Sequence, residues 1–127
     1  MKKFVTAFTV LMITLFISLA SFANPAPVTE YRYELDAGGK IKTAIPYTNG
    51  KITGLMIHYY PDGKIKYLST VINGVIEGIQ YGYFESGKLK LVVPYKNNKQ
   101  NGLAKVFKED GTLMAEILYR DGQVVPR

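Results

Sequence analysis

A chain of 127 residues with net charge +6, 20% charged residues and a mean hydropathy of +0.01 has the size of one domain and is too apolar for a disordered polyampholyte. It has no cysteine, which excludes disulfides, thiolate metal sites, a cysteine nucleophile and an acylated-cysteine anchor. One histidine leaves no histidine-built zinc site within a single chain, and no cofactor is expected.

Met1-Lys2-Lys3 precedes an apolar run from Phe4 to Ala20, and Ser21-Phe22-Ala23 then supplies small residues at the positions a signal peptidase reads. This order predicts a secretory signal over residues 1–23, with Asn24 as the new N-terminus. An uncleaved anchor is the alternative, but the run sits at the short edge of the roughly 17–25 residues that span a bilayer. Thr6, Thr9, Thr14 and Ser18 dilute it further. The expected location is therefore periplasmic or secreted. Cleavage removes Lys2 and Lys3 and lowers the net charge from +6 to +4, a weak preference for acidic partners. Nucleic acid is not an expected partner, since no helix-turn-helix or RNA-binding signature is present.

Residues 24–30 read as a flexible lead-in, and Tyr31-Arg32-Tyr33-Glu34-Leu35 as a first strand. From there to the end of the repeat domain (31–127) the chain repeats itself. Gly39, Gly63, Gly87 and Gly111 stand 24 residues apart. Asn49-Gly50, Asn73-Gly74, Asn97-Asn98 and Asp121-Gly122 follow each of them at a fixed offset. Gly54, Gly78 and Gly102 form a third column, and Tyr59, Tyr83 and Phe107 a fourth. Asn, Asp and Gly tolerate the positive φ of tight hairpins, so each unit carries two two-residue turns and two strands.

The segments between turns alternate as strands do. Ile41, Thr43, Ile45 and Tyr47 are expected on one face, against Lys40, Lys42, Ala44, Pro46 and Thr48 on the other. Leu55-Ile57-Tyr59, Ile79-Tyr81-Tyr83 and Leu103-Lys105-Phe107 share a face, with the aromatic column assigned to the packed stripe. No helical period is sustained after residue 24. The prediction is an all-β antiparallel hairpin meander of eight or nine strands, in about three and a half repeats. The strict period favours an elongated twisted sheet, each unit touching its neighbours, over closure into a barrel or sandwich.

These columns resemble the MORN repeat family in its bacterial variant form. The resemblance runs through Gly39-Lys40-Ile41-Lys42, Tyr47, Asn49-Gly50, Gly54 and Tyr59-Tyr60. It continues through Gly63-Lys64-Ile65-Lys66, Asn73-Gly74, Gly78 and Tyr83-Phe84, and through Gly87, Leu89-Lys90, Tyr95, Asn97, Gly102 and Phe107. Val71, Asn98, Lys108 and Met114 depart from it. It implies a non-enzymatic binding or scaffolding protein with a protein partner. In its most concrete form this is a periplasmic antitoxin, an immunity protein that blocks a toxin. The alternative is an envelope scaffold or peripheral membrane protein that binds anionic lipid.

No catalytic or metal-binding residue is expected. His58 has Asp62 nearby, but a nucleophile and an orienting carboxylate are missing, and Asp62 is explained by its turn. The Gly-Lys pairs recur because turns recur, without the spacing of a phosphate loop. Lys40, Lys42, Lys64, Lys66, Lys88 and Lys90 would form a basic stripe opposite the Ile/Leu/Tyr stripe. This stripe serves either as a solvated face that resists aggregation or as a site for an anionic ligand. Tyr60 and Phe84, expected to point the same way as His58, complete the set of partner-contact residues.

Overall fold

The computed structural model describes residues 27–126, so the expected signal segment and the start of the lead-in lie outside the described residues. Strand β1 is Thr29–Leu35, beginning two residues inside the expected lead-in, and β2 is Ile41–Thr48. There follow β3 (Lys51–Ile52), β4 (Gly54–Tyr59), β5 (Ile65–Ile72) and β6 (Val75–Tyr83). The chain continues with β7 (Leu89–Lys96), β8 (Lys99–Gln100), β9 (Gly102–Phe107), β10 (Leu113–Arg120) and β11 (Gln123–Val124). They form one antiparallel sheet in the order β1-β2-β4-β5-β6-β7-β9-β10-β11, with β3 on β2 and β8 on β7. The meander is therefore as expected, and the two extra strands are the first residues of the strands that continue as β4 and β9.

Every sizeable packing contact between elements joins strands that are neighbours in the sheet. The fold is a single open layer among the described residues, neither barrel nor sandwich.

Two kinds of turn alternate, and only one is the expected two-residue type. In Asn49-Gly50, Asn73-Gly74, Asn97-Asn98 and Asp121-Gly122 both residues have positive φ, between 49° and 84°. That is the type I′ geometry whose twist matches the flanking strands. At the other end of each hairpin the loop is longer. In Tyr60–Lys64 the Gly63 N–H donates to Tyr60 O at 2.9 Å, the Tyr60 N–H donates to Lys64 O at 2.8 Å, and only Gly63 is left-handed. Asp36–Lys40, Phe84–Lys88 and Lys108–Thr112 close in the same way. These are type I turns followed by a glycine bulge, which require one positive φ instead of two.

A second bulge follows each of these loops and changes which side chains share a face. Glu34 pairs with Thr43 but Leu35 pairs with Ile41, so Lys42 is the extra residue. The same slip makes Lys66 extra between the pairs His58–Tyr67 and Tyr59–Ile65. It recurs at Lys90 and at Met114. Residues opposite one another in a ladder share a face. Ile41, Ile65, Leu89 and Leu113 therefore leave the face of Thr43, Tyr67, Leu91 and Ala115, contrary to simple alternation.

The ladders define the two faces. One carries the row Glu34, Thr43, His58, Tyr67, Gly82, Leu91, Val106 and Ala115. Beside it run Met56, Ser69, Gln80, Val93, Ala104 and Ile117. Apart from Gly78, the ladder residues on this face from Thr43 to Tyr119 are buried or half-buried, with Val71 and Ser69 each only 1% exposed. Burying a valine to this degree is worth about 1.5–3 kcal/mol. The other face carries Tyr33, Ala44, Ile57, Leu68, Tyr81, Val92, Lys105 and Glu116. Tyr59, Tyr83 and Phe107 belong to this second face, not to the more deeply packed one.

Candidate binding surfaces

The second face is the apolar surface of the molecule. Tyr31, Leu55, Ile79, Tyr81, Leu103 and Leu118 all point to it and are all exposed, Leu55 by 43% and Ile79 by 42%. They alternate with Pro46 and Pro94, and the Lys105–Glu116 pair at 3.9 Å lies at the β9–β10 end. Tyr59 sits among Tyr31 and Tyr33; burial and then these neighbours push its phenol above the ordinary value. Apolar residues gathered on one side of a sheet, with polar residues at the margin, are the composition of an interaction surface. Sequence reasoning treated Leu55, Ile57, Ile79 and Tyr81 as packing residues. Their recurrence was visible, but their exposure depends on the sheet remaining one layer thick.

The residues singled out as a basic stripe divide into two groups. Lys40, Lys64 and Lys88 are turn residues. Lys40 Nζ donates to Pro61 O at 3.1 Å and Lys64 Nζ lies 3.4 Å from Asp62. Lys42, Lys66 and Lys90 are the bulge residues. Lys66 Nζ stands 5.5 Å from the Tyr60 ring and 5.6 Å from that of Tyr67, and Lys90 Nζ is 5.4 Å from Phe84. Lys42, Lys66 and Lys90, as the extra residues of their bulges, depart from the simple alternation that grouped them with Lys40, Lys64 and Lys88.

Tyr60 and Phe84 open their turns, in equivalent positions one repeat apart. The Tyr60 hydroxyl donates to Tyr83 O at 2.8 Å, bridging two repeats, and partial burial raises its phenol pKa. His58 is half-buried on the more sheltered face. Its Nδ1 is 3.2 Å from Thr43 Oγ1, and its ring meets Tyr67 edge-on at 6.3 Å and 79°. Burial holds its pKa below the ordinary 6.5; Glu34 opposes this shift, while Lys42 and Lys66 reinforce it. The structure brings His58 together with Lys42 and Lys66, and Tyr60 with Lys66, while Phe84 pairs with Lys90 one repeat further on.

The turn carboxylates have the structural task expected of them. Asp62 Oδ1 accepts from the Lys64 N–H at 3.0 Å, and Asp110 Oδ1 from the Thr112 N–H at 2.8 Å and its hydroxyl at 2.6 Å. These hydrogen bonds lower both carboxyl pKa values. Among the described residues no group of three His, Asp or Glu side chains is placed to hold a metal ion. No helix among them is long and apolar enough to cross a membrane.

A contact absent from the sequence reading joins successive repeats. The Asn73, Asn97 and Asp121 N–H groups donate to side-chain oxygens of Thr53, Glu77 and Asn101, each 20 residues back. The Gly74, Asn98 and Gly122 N–H groups donate to Ile52 O, Ile76 O and Gln100 O, each 22 residues back. The type I′ turns at Asn73-Gly74, Asn97-Asn98 and Asp121-Gly122 thus each dock on the preceding unit. The Thr53/Glu77/Asn101 column was present in the sequence, but three different residue types concealed the common role of acceptor.

An open meander of recurring hairpins, with side-chain surfaces on both faces, is the architecture of a repeat-built sheet. The family described as MORN repeat variant matches residues 52–73, 76–97 and 100–121, and the chain belongs to that family. Its repeats mediate protein or membrane-lipid binding rather than catalysis. No curated protein and no solved structure gives a match to the chain.

Proposed function

We propose that this chain is an exported, non-catalytic binding protein whose apolar sheet face docks on a protein partner. In its most concrete form it is a periplasmic immunity protein that covers the active surface of a toxin. The observation that carries the docking reading is the exposure of Tyr31, Leu55, Ile79, Tyr81, Leu103 and Leu118 on one face. Export rests on the order of basic, apolar and small residues at the N-terminus.

Affinity capture with residues 24–127 at low and moderate salt, in parallel with an Ile79→Lys/Leu103→Lys variant, tests this. One stoichiometric protein that survives moderate salt and is lost with the double variant supports the reading. Retention unchanged by the variant removes the apolar face from it. The recurrence of Lys42, Lys66 and Lys90 at one bulge position favours a second reading, attachment to anionic lipid. That binding would weaken steeply with ionic strength and would ignore the Ile79/Leu103 changes.

A further inference from the structure

The more sheltered face holds one feature that the repeat does not reproduce. Lys42 from β2, His58 from β4, Lys66 and Tyr67 from β5, and Gln80 from β6 line a hollow of about 290 Å³. One and two periods beyond His58 stand Gly82 and Val106, and one period beyond Gln80 stands Ala104. The full donor set therefore occurs once. Neither Lys42 nor Lys66 has a carboxylate within ion-pair distance among the described residues. Lys66 is steered instead by the rings of Tyr60 and Tyr67. Two repeats contribute one ammonium each, a half-buried imidazole lies between them, and a phenol and an amide complete the wall.

We propose that this hollow binds a phosphate-class oxyanion, either free or as a monoester, between the Lys42 and Lys66 ammoniums, with His58, Tyr67 and Gln80 as further donors. Two unpaired ammoniums match a dianion, and charge-assisted hydrogen bonds are the strong ones in such a site. The volume falls at the lower limit of the roughly 300–1,000 Å³ typical of ligand pockets, which suits a headgroup-sized ligand. The groups facing His58 are Glu34 on β1, Lys42 and Thr43 on β2, and Lys66 and Tyr67 on β5. Glu34 stands beyond Thr43 in the same row, so the anion is confined to the lysine side. The site lies on the opposite face from the exposed apolar residues and is independent of the protein-docking reading, while its lipid-headgroup form rests on the anionic-lipid reading, to which Lys42 and Lys66 also belong.

The single histidine makes the test direct, since its imidazole signal is unique in a ¹H–¹³C spectrum. Residues 24–127 are titrated with sodium phosphate at constant ionic strength, with sodium chloride and sodium acetate in parallel. The expected result is a saturable His58 shift with phosphate alone, and an imidazole pKa that rises as phosphate binds. Lys42→Gln/Lys66→Gln should weaken phosphate binding roughly tenfold. Lys51→Gln/Lys96→Gln, which removes the same charge from the other end of the strands, should leave it unchanged. An equal shift with chloride or acetate overturns the proposal, as does an undiminished phosphate response in a Lys42/Lys66 variant that keeps the parent's dispersed spectrum. Sedimentation with phosphatidylcholine vesicles, with and without phosphatidic acid, identifies the source. Retention that depends on phosphatidic acid and on Lys42/Lys66 assigns a lipid headgroup. Phosphate binding without vesicle retention assigns a soluble phosphate.

Discussion

Asn98 shows how one residue can depart from a repeat and still satisfy it. Its equivalents Gly50, Gly74 and Gly122 have no Cβ, whereas Asn98 holds φ at 64° with a side chain. Its Oδ1 accepts the Ile76 N–H at 2.7 Å, a bond that glycine cannot make. Asn98→Ala loses both the bond and the tolerance of positive φ, and should cost about 1–2 kcal/mol in urea unfolding. Asn98→Gly removes only the bond and should cost less. Gly54 is more demanding. It has φ of 135°, and an added Cβ would lie 2.9 Å from Pro46 Cβ, so Gly54→Ala should cost at least about 1–3 kcal/mol, measured in the same way.

His58 and the turn aspartates set the acid response at this scale. A histidine with a folded pKa below 6.5 favours the neutral form, so its contribution to stability is present at high pH. That contribution falls as pH drops below 6.5 toward the lower folded value. His58→Gln should flatten stability over that window, as followed by thermal melts in a phosphate-free buffer. Asp62 and Asp110 have lowered pKa values, so their contribution is present above 3.8 and is lost as pH falls through the folded values. Asparagine at both positions should remove that lower limb.

Among the elements, the hairpin is the unit and the contact between hairpins is what orders the array. Thr53→Ala deletes the acceptor for the Asn73 N–H and should cost about 1 kcal/mol, with amide exchange rising first at Asn73 and Gly74. The hairpins themselves were legible in the sequence because turn chemistry is local. An Asn-Gly or Asp-Gly pair between two alternating apolar runs favours a tight turn, and the 24-residue spacing then places the strands. The faces were less legible. One extra residue at Lys42, Lys66 or Lys90 reverses the parity of everything before it in the strand, and no residue type announces that slip. The candidate surfaces followed suit. His58 and Lys66 were named from the sequence, but the hollow they share with Gln80 comes from pairing across three strands.

For the whole molecule, one open layer means that stability is a sum over neighbours rather than the property of a central core. Duplicating residues 75–98, one full period, should add an internal unit without disturbing the others. It should raise the urea midpoint and increase the dependence of unfolding on urea by about a quarter. A circular dichroism titration of the parent and the lengthened chain measures both. An unchanged slope would mean that the added unit is not folded onto the array.

The 20- and 22-residue contacts have a mechanical consequence. The last three type I′ turns are each held by the unit before them. Under tension applied at the C-terminal side, load reaches the Asp121-Gly122 turn first, and that turn is braced on Asn101 and Gln100 of the unit before it. The sheet would therefore peel from that end like a zipper, releasing roughly 80 Å of chain with each 24-residue step. The same chain pulled across its faces, as by a partner seated on Leu55 and Leu103, would load many ladders at once and resist as a plate.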